Sequence, residues 1–131
     1  MRNQLKILLC SAVLLASGIH LSGQGNDVFV PISKYIEQGD YDSLSAWFSD
    51  NLEIGILQKE TSSSRNQARQ IVRGFFELHT PRSFNITHTA GRPGLKYALG
   101  SLNAGGEVFK VTIFVNCKNG DARIQQFKVE R

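Results

Sequence analysis

The histidine at position 88 is the residue of this chain whose surroundings best suit proton transfer. Histidine is the side chain that exchanges a proton most readily near neutral pH. Apolar and polar residues alternate around His88, which predicts a strand with its imidazole on the same face as Phe84 and Ile86. In an apolar wall it would act as a general base, with Tyr97 or Tyr35 as the proton donor. The alternative is a buried histidine that a neighbour hydrogen-bonds for structural reasons.

Aromatic side chains supply a second kind of candidate site, an apolar ligand pocket. Rings that carry a polar group pack at the rims of such pockets and contact ligands there. They also occur as core residues whose polar ends are satisfied by a neighbour. The candidate ligand-binding residues are Tyr35, Trp47, Phe76, His88 and Tyr97.

The sequence indicates no metal, cofactor or phosphate site. His79 and His88 lie on different predicted elements, and neither has the ligand spacing of a metal site. Cys117 stands alone, since Cys10 belongs to the N-terminal apolar segment. The pair Gly105-Gly106 predicts a hairpin turn and not a phosphate-binding loop. We therefore expect neither a metal nor a cofactor.

Arginines at positions 65, 69 and 73 form a stripe along one predicted helix. Glu77 continues the stripe and is spaced to pair with Arg73. The stripe predicts either a solvated helix face or a contact with an anionic lipid or glycan.

The first 24 residues have the pattern of a cleaved secretory signal. Arg2 and Lys6 precede a run of ten apolar or small residues, followed by small and polar residues. The run is about half of the roughly 20 residues that span a bilayer, so we expect no stable membrane anchor. The prediction is a signal over residues 1–24 and one domain over residues 25–131, exported to the periplasm or secreted by a bacterium.

Removal of the signal changes the charge. Without Arg2 and Lys6, 13 basic and 11 acidic residues remain, a formal charge of +2. So small a charge gives no electrostatic case for a nucleic-acid partner. With Cys10 removed, Cys117 has no partner for an intramolecular disulfide.

Helical periodicity precedes strand periodicity along the chain. A first helix over residues 27–38 ends at Gly39, and Asp40 caps a short second helix that includes Trp47 and Phe48. After a strand over residues 52–57, Ser64 caps a third helix that ends before Pro81. Four strands follow, with turns at 91–94, 105–106 and 119–120.

Several motifs resemble the nuclear transport factor 2-like superfamily, and more narrowly a family of small exported Bacteroidetes proteins of uncharacterised function. They are Tyr35-Ile36-Glu37-Gln38-Gly39-Asp40-Tyr41-Asp42-Ser43-Leu44, Phe75-Phe76 before Pro81, Phe84-x-Ile86-x-His88-x-Ala90-Gly91 and Tyr97-Ala98-x-Gly100. The resemblance implies an α+β fold in which a curved antiparallel sheet wraps around about three N-terminal helices and forms a cone with a cavity. With strict alternation, the concave face carries Phe84, Ile86, His88, Tyr97, Leu99, Phe109, Val111, Ile113 and Val115.

Proton-transferring enzymes of this superfamily use a carboxylate aimed into the cavity, and we expect no Asp or Glu on that face. The sequence therefore favours non-catalytic binding of an apolar small molecule or a protein partner, through the cavity or the sheet face. The alternative is a small lyase, isomerase or hydrolase with His88 as general base. We expect Phe114 and Ile124 to point outward from the sheet, where the resemblance implies a homodimer contact.

Overall fold

The computed structural model describes residues 28–131. It contains three helices and six strands, in the order α1 (Phe29–Gln38), α2 (Tyr41–Ser45), β1 (Phe48–Ile56), β2 (Lys59–Ser64), α3 (Arg65–Leu78), β3 (Pro81–Arg92), β4 (Leu95–Ala104), β5 (Glu107–Lys118) and β6 (Asp121–Glu130). The helices of this part are too short or too polar to cross a membrane. The predicted signal lies outside the described residues and stays a prediction. The contacts between residues separate the chain into two compact units, with the boundary after Val30. The packing described below is that of the second unit, residues 31–131.

All six strands belong to one curved sheet, in the order β2-β1-β6-β5-β4-β3. Neighbouring strands are antiparallel except β1 and β6, which run parallel. The predicted α+β class, the curved sheet and the three helices are confirmed. The sheet is mixed and not wholly antiparallel, because the last strand, β6, pairs with β1 and runs in the same direction.

One face of the sheet forms the core. Along β5, Phe109, Val111, Ile113 and Val115 have no exposed surface. The ring of Phe75 on α3 meets Phe109 edge-on, with centroids 5.2 Å apart. This is the helix-covered face. The opposite side of β3 to β6 carries the alternate residues, including the half-buried Tyr97, Leu99, Thr112 and Phe114, and is called the open face below.

Local sequence signals set the helix ends as predicted. Gly39 has φ 68°, and the amides of Gly39 and Asp40 donate to the carbonyls of Ile36 and Tyr35, which is a Schellman motif. The Asp40 carboxylate then accepts from the amide of Ser43 at 3.1 Å and caps α2. These contacts fix the sharp turn between α1 and α2.

Of the other predicted element boundaries, the start of α3 and the turn between β5 and β6 are confirmed, whereas the end of α2 and the strand β2 were not predicted correctly. The Ser64 hydroxyl caps α3 by accepting from the Gln67 amide at 3.1 Å, and Asn119-Gly120 forms the two-residue hairpin turn with φ 53° and 76°. The predicted extent of the second helix was wrong, because α2 stops at Ser45 and Phe48 already belongs to β1. Sequence analysis also missed the entire polar strand β2.

Candidate functional site

A β-bulge in β3 decides where the catalytic candidate His88 lies. Ile86 pairs with Gly100 of β4, whereas His88 pairs with Leu99, so Thr87 is an extra residue between them. One extra residue moves every later side chain of a strand to the other face. Phe84 is therefore on the helix-covered face, and His88 is exposed on the open face. The predicted concave position of His88 was wrong.

The side chain of Tyr97 also lies on the open face. Tyr97 pairs directly with Phe114, and their ring centroids are 5.0 Å apart. The His88 ring meets Tyr97 nearly perpendicularly, at 6.0 Å and 72°. These three rings form one aromatic cluster across β3, β4 and β5. The predicted outward direction of Phe114 is confirmed, whereas Tyr97 and Leu99 were wrongly assigned to the concave face.

The second residue predicted to point outward, Ile124, is fully buried. The pairing of β5 with β6 shifts by one residue after Phe114, so that Ile124 lies opposite Val115 of the helix-covered face. The prediction for Ile124 was wrong for the same reason as that for His88, because strict alternation was assumed through a bulge.

An apolar groove of about 400 Å³ adjoins the aromatic cluster on the open face. Its lining residues are Ala90, Gly91, Arg92, Leu95, Tyr97 and Phe114. Gly91 has φ 141°, and a Cβ there would lie 2.4 Å from the carbonyl oxygen of Leu95. Only glycine fits that position, so the end of β3 stays close to β4 and closes one side of the groove.

The other three candidate ligand residues lie elsewhere. Tyr35 is half-buried on α1, and Phe76 is 5% exposed on α3. Trp47 is half-buried just before β1, and its carbonyl accepts from the Ile124 amide at 2.7 Å. None of the three is a lining residue of the groove on the open face or of the two polar cavities described below. Of the predicted set, only His88 and Tyr97 come together.

No carboxylate of residues 28–131 is fully buried, but Glu107 lies on the helix-covered face, in step with Phe109 on β5 and 3.7 Å from His79 Nδ1. The prediction that this face carries no Asp or Glu was wrong at this end of β5. All ten acidic side chains of this part accept a hydrogen bond or join an ion pair, and none is buried. Glu37, for instance, accepts from the Phe84 amide at 3.4 Å and covers the start of the edge strand β3. The described residues also bring together no three His, Cys, Asp or Glu side chains as metal ligands.

The arginine stripe of α3 is compensated. Arg65 pairs with Asp50 at 2.8 Å, Arg69 with Asp42 at 3.0 Å and Arg73 with Glu77 at 3.1 Å. Each guanidinium therefore has a carboxylate within the fold, and a solvated helix face is the interpretation that these pairs support.

Two further cavities of similar size are polar. One, of about 400 Å³, lies by the β1–β2 turn, where Lys128 pairs with Glu60 at 3.3 Å. The other, of about 420 Å³, is lined by the paired Arg65 and Asp50. Their charged groups already satisfy one another. The groove on the open face differs from both because its walls are mostly apolar and exposed.

Sequence analysis missed the groove residues Arg92 and Leu95 as a site. They flank the two-residue turn Pro93-Gly94 and pair with each other across it. The turn signal was recognised, but the bulge at Thr87, which places Arg92 on the face opposite to Phe84, was not.

Comparison with known proteins identifies the fold family. A sequence profile of DUF4783, a domain of unknown function, matches residues 29–130. No curated protein matches the chain. The structure of a DUF4783 family protein from Bacteroides uniformis superposes with a TM-score of 0.74 at 22% identity, covering 77% of this chain and 94% of that one.

More distant structures share the same architecture. An NTF2-like protein of unknown function from Cytophaga hutchinsonii superposes with a TM-score of 0.59 at 7% identity, covering 79% of this chain and 86% of that one. A candidate dehydratase of the NTF2-like family from Streptomyces avermitilis gives 0.64 at 12% identity, covering 82% and 92%. At these identities the likeness shows the fold alone, which is nuclear transport factor 2-like.

Proposed function

The chain belongs to the DUF4783 family, and we propose that it binds a small apolar molecule, without catalysis, in the groove on the open face of its sheet. The observation that carries this proposal is the groove of about 400 Å³ lined by the adjoining, mutually tilted rings of Tyr97 and Phe114. Sites for small molecules typically measure about 300–1,000 Å³ and are lined mainly by apolar and aromatic residues.

The size of the groove favours a small molecule over a protein. Six residues line it, whereas a standard protein interface uses about 20–30 residues on each side. A ligand that covers the two rings removes apolar surface from water, which stabilises the complex by roughly 25 cal/mol for each Å² buried. The rings are held by cross-strand pairing, so binding requires little ordering of the protein.

The enzymatic alternative has weaker support. Catalysis by His88 in the cone needs the imidazole on the helix-covered face, where exclusion of water strengthens acid–base chemistry. The bulge leaves His88 exposed, and no carboxylate of residues 28–131 is buried near it. The likeness to a candidate dehydratase concerns the fold and not these residues.

Binding of the neutral fluorescent probe N-phenyl-1-naphthylamine tests the proposal. We expect Tyr97→Thr and Phe114→Thr each to weaken probe binding about tenfold, since each removes one aromatic wall while keeping a residue that favours strands. Leu99→Thr is the matched control, because Leu99 lies on the same face outside the groove lining. Circular dichroism confirms that each variant is folded. If the wild type binds no probe, or all three variants bind like the wild type, the proposal is wrong.

Self-association through the open face is a second candidate. Val108, at the other end of the same face of β5, is 64% exposed. Exposed apolar surface favours contact between copies of a chain where it forms a patch, and on this face the aromatic cluster of His88, Tyr97 and Phe114 supplies the patch, with Val108 at its far end. Sedimentation equilibrium of the wild type and Val108→Lys tests this: a wild-type dimer that the variant weakens supports it, and a monomeric wild type at millimolar concentration excludes it.

A further inference from the structure

Arg92 differs from most other arginines of residues 28–131 in forming no ion pair with a carboxylate of that part of the chain. Residues 28–131 contain seven arginines, and five of them pair with an acid. These five are Arg65, Arg69, Arg73, Arg123 and Arg131. Arg82 and Arg92 form no ion pair with any described carboxylate. Because ion pairing is the rule for the described arginines, the exceptions identify guanidinium groups that are free to bind an anion.

Of these two arginines, Arg92 lines the groove and Arg82 does not. Arg92 lies on the open face opposite Leu95, and it is the charged residue of the groove lining. The other lining residues are apolar or aromatic, so no acid of the groove itself neutralises the guanidinium. Arg82 is also exposed but lies ten residues earlier in β3, outside the lining.

A guanidinium at the rim of an apolar groove recognises two features of one ligand. Its planar fork of N–H donors matches a carboxylate, which it binds through two parallel hydrogen bonds. The rings of Tyr97 and Phe114 accept the apolar part of the same molecule. We infer that the groove binds a small anionic amphiphile, a monocarboxylate with a short apolar chain, with its carboxylate on Arg92. This inference rests on the proposed function of the groove and adds the charge of its ligand.

The experiment compares octanoate with octanol as competitors of N-phenyl-1-naphthylamine. The two competitors share the chain and differ in the charged head group. We expect octanoate to bind the wild type about fivefold more tightly than octanol at low salt, as for a solvent-exposed ion pair. The preference should shrink at 0.5 M sodium chloride, because salt screens exposed charges over a few ångströms.

Two variants identify the residue responsible. Arg92→Gln should abolish the preference for octanoate, measured as the ratio of the octanoate and octanol affinities within the same variant. Arg82→Gln, which removes the other unpaired arginine, should keep the preference. If octanoate binds the wild type no better than octanol, or if Arg92→Gln keeps the preference, the inference is wrong while the apolar site stands. If the probe itself does not bind the wild type, the proposed function fails as well.

Discussion

Replacing Gly100 by alanine should destabilise the protein, because the ring of Phe84 occupies the space that a side chain would need. Gly100 lies on the helix-covered face of β4, and a Cβ there would be 2.4 Å from Phe84 Cζ and 2.5 Å from Cε1. Carbon atoms in contact lie about 3.5–4.0 Å apart, so the ring tip would have to move by about 1 Å. Phe84 is 5% exposed, and nearby core residues leave it little room.

The expected loss follows from two opposing terms. Overpacking of a filled core typically costs about 1–3 kcal/mol. Alanine in place of glycine in a strand recovers about 0.5 kcal/mol, because the unfolded chain loses less conformational freedom on folding. We therefore expect Gly100→Ala to lower the free energy of unfolding by about 1–2 kcal/mol. Urea denaturation followed by the fluorescence of Trp47 measures this difference.

Two further variants isolate the cause. Gly74→Ala on α3 is the matched control: a Cβ there meets no atom within 4 Å, so the substitution should stabilise the protein by about 0.5–1 kcal/mol. Phe84→Leu removes the two ring atoms that clash, and in its background Gly100→Ala should cost less than about 0.5 kcal/mol. Equal stability of Gly100→Ala and the wild type, or additive effects in the double variant, would refute the packing of Phe84 over Gly100.

Three other substitutions have defined outcomes. The hydrogen bond from Arg131 holds the pKa of Glu107 below its ordinary value of 4.5, with the charge of His79 acting in the same direction. The stabilisation by Glu107 is therefore present above pH 4.5 and lost as the pH falls through the lowered pKa. Glu107→Gln should be less stable than the wild type at pH 7 and equally stable in acid, as thermal unfolding across pH would reveal. Gln58→Gly should stabilise the protein by about 1 kcal/mol in urea, since Gln58 is exposed with φ 81°; a loss of stability would contradict this. Ser64→Ala should cost about 1 kcal/mol by removing the cap of α3, and an unchanged midpoint in urea would show that the cap is not stabilising.

The features predictable from the sequence are those with a local chemical cause. Gly39 and Asp40 end one helix and start the next because glycine tolerates positive φ and aspartate caps an amide. Asn119-Gly120 forms its turn for a similar reason. The turn before β2 was missed because Leu57 and Gln58 adopt φ of 51° and 81° without a glycine or asparagine. The polar composition of β2 hid that strand as well, since an edge strand needs little apolar surface.

The faces of the sheet were harder to predict than its strands. The bulge at Thr87 contains no glycine or proline, and the register shift after Phe114 is equally unmarked in the sequence. Each adds a single residue, yet each reverses the direction of every side chain beyond it. The assignments of His88 and Ile124 failed for this reason, although the strands that carry them were predicted correctly. Tyr97 failed for another reason, because β4 pairs with β5 without a bulge and its covered face carries the small residues Ala98 and Gly100.

The reversal at Thr87 changes which chemistry the fold can support. Proton transfer in a cone needs a titratable group in an enclosed apolar site, and the described acids are all committed to contacts near the surface. The same bulge that takes His88 out of the interior brings it beside Tyr97 and places Arg92 at the groove. Because of one inserted residue, the imidazole of His88 lies outside the cone and next to an aromatic ring, and the guanidinium of Arg92 lies on the same exposed face. We therefore expect ligands to bind at the open face and not inside the cone.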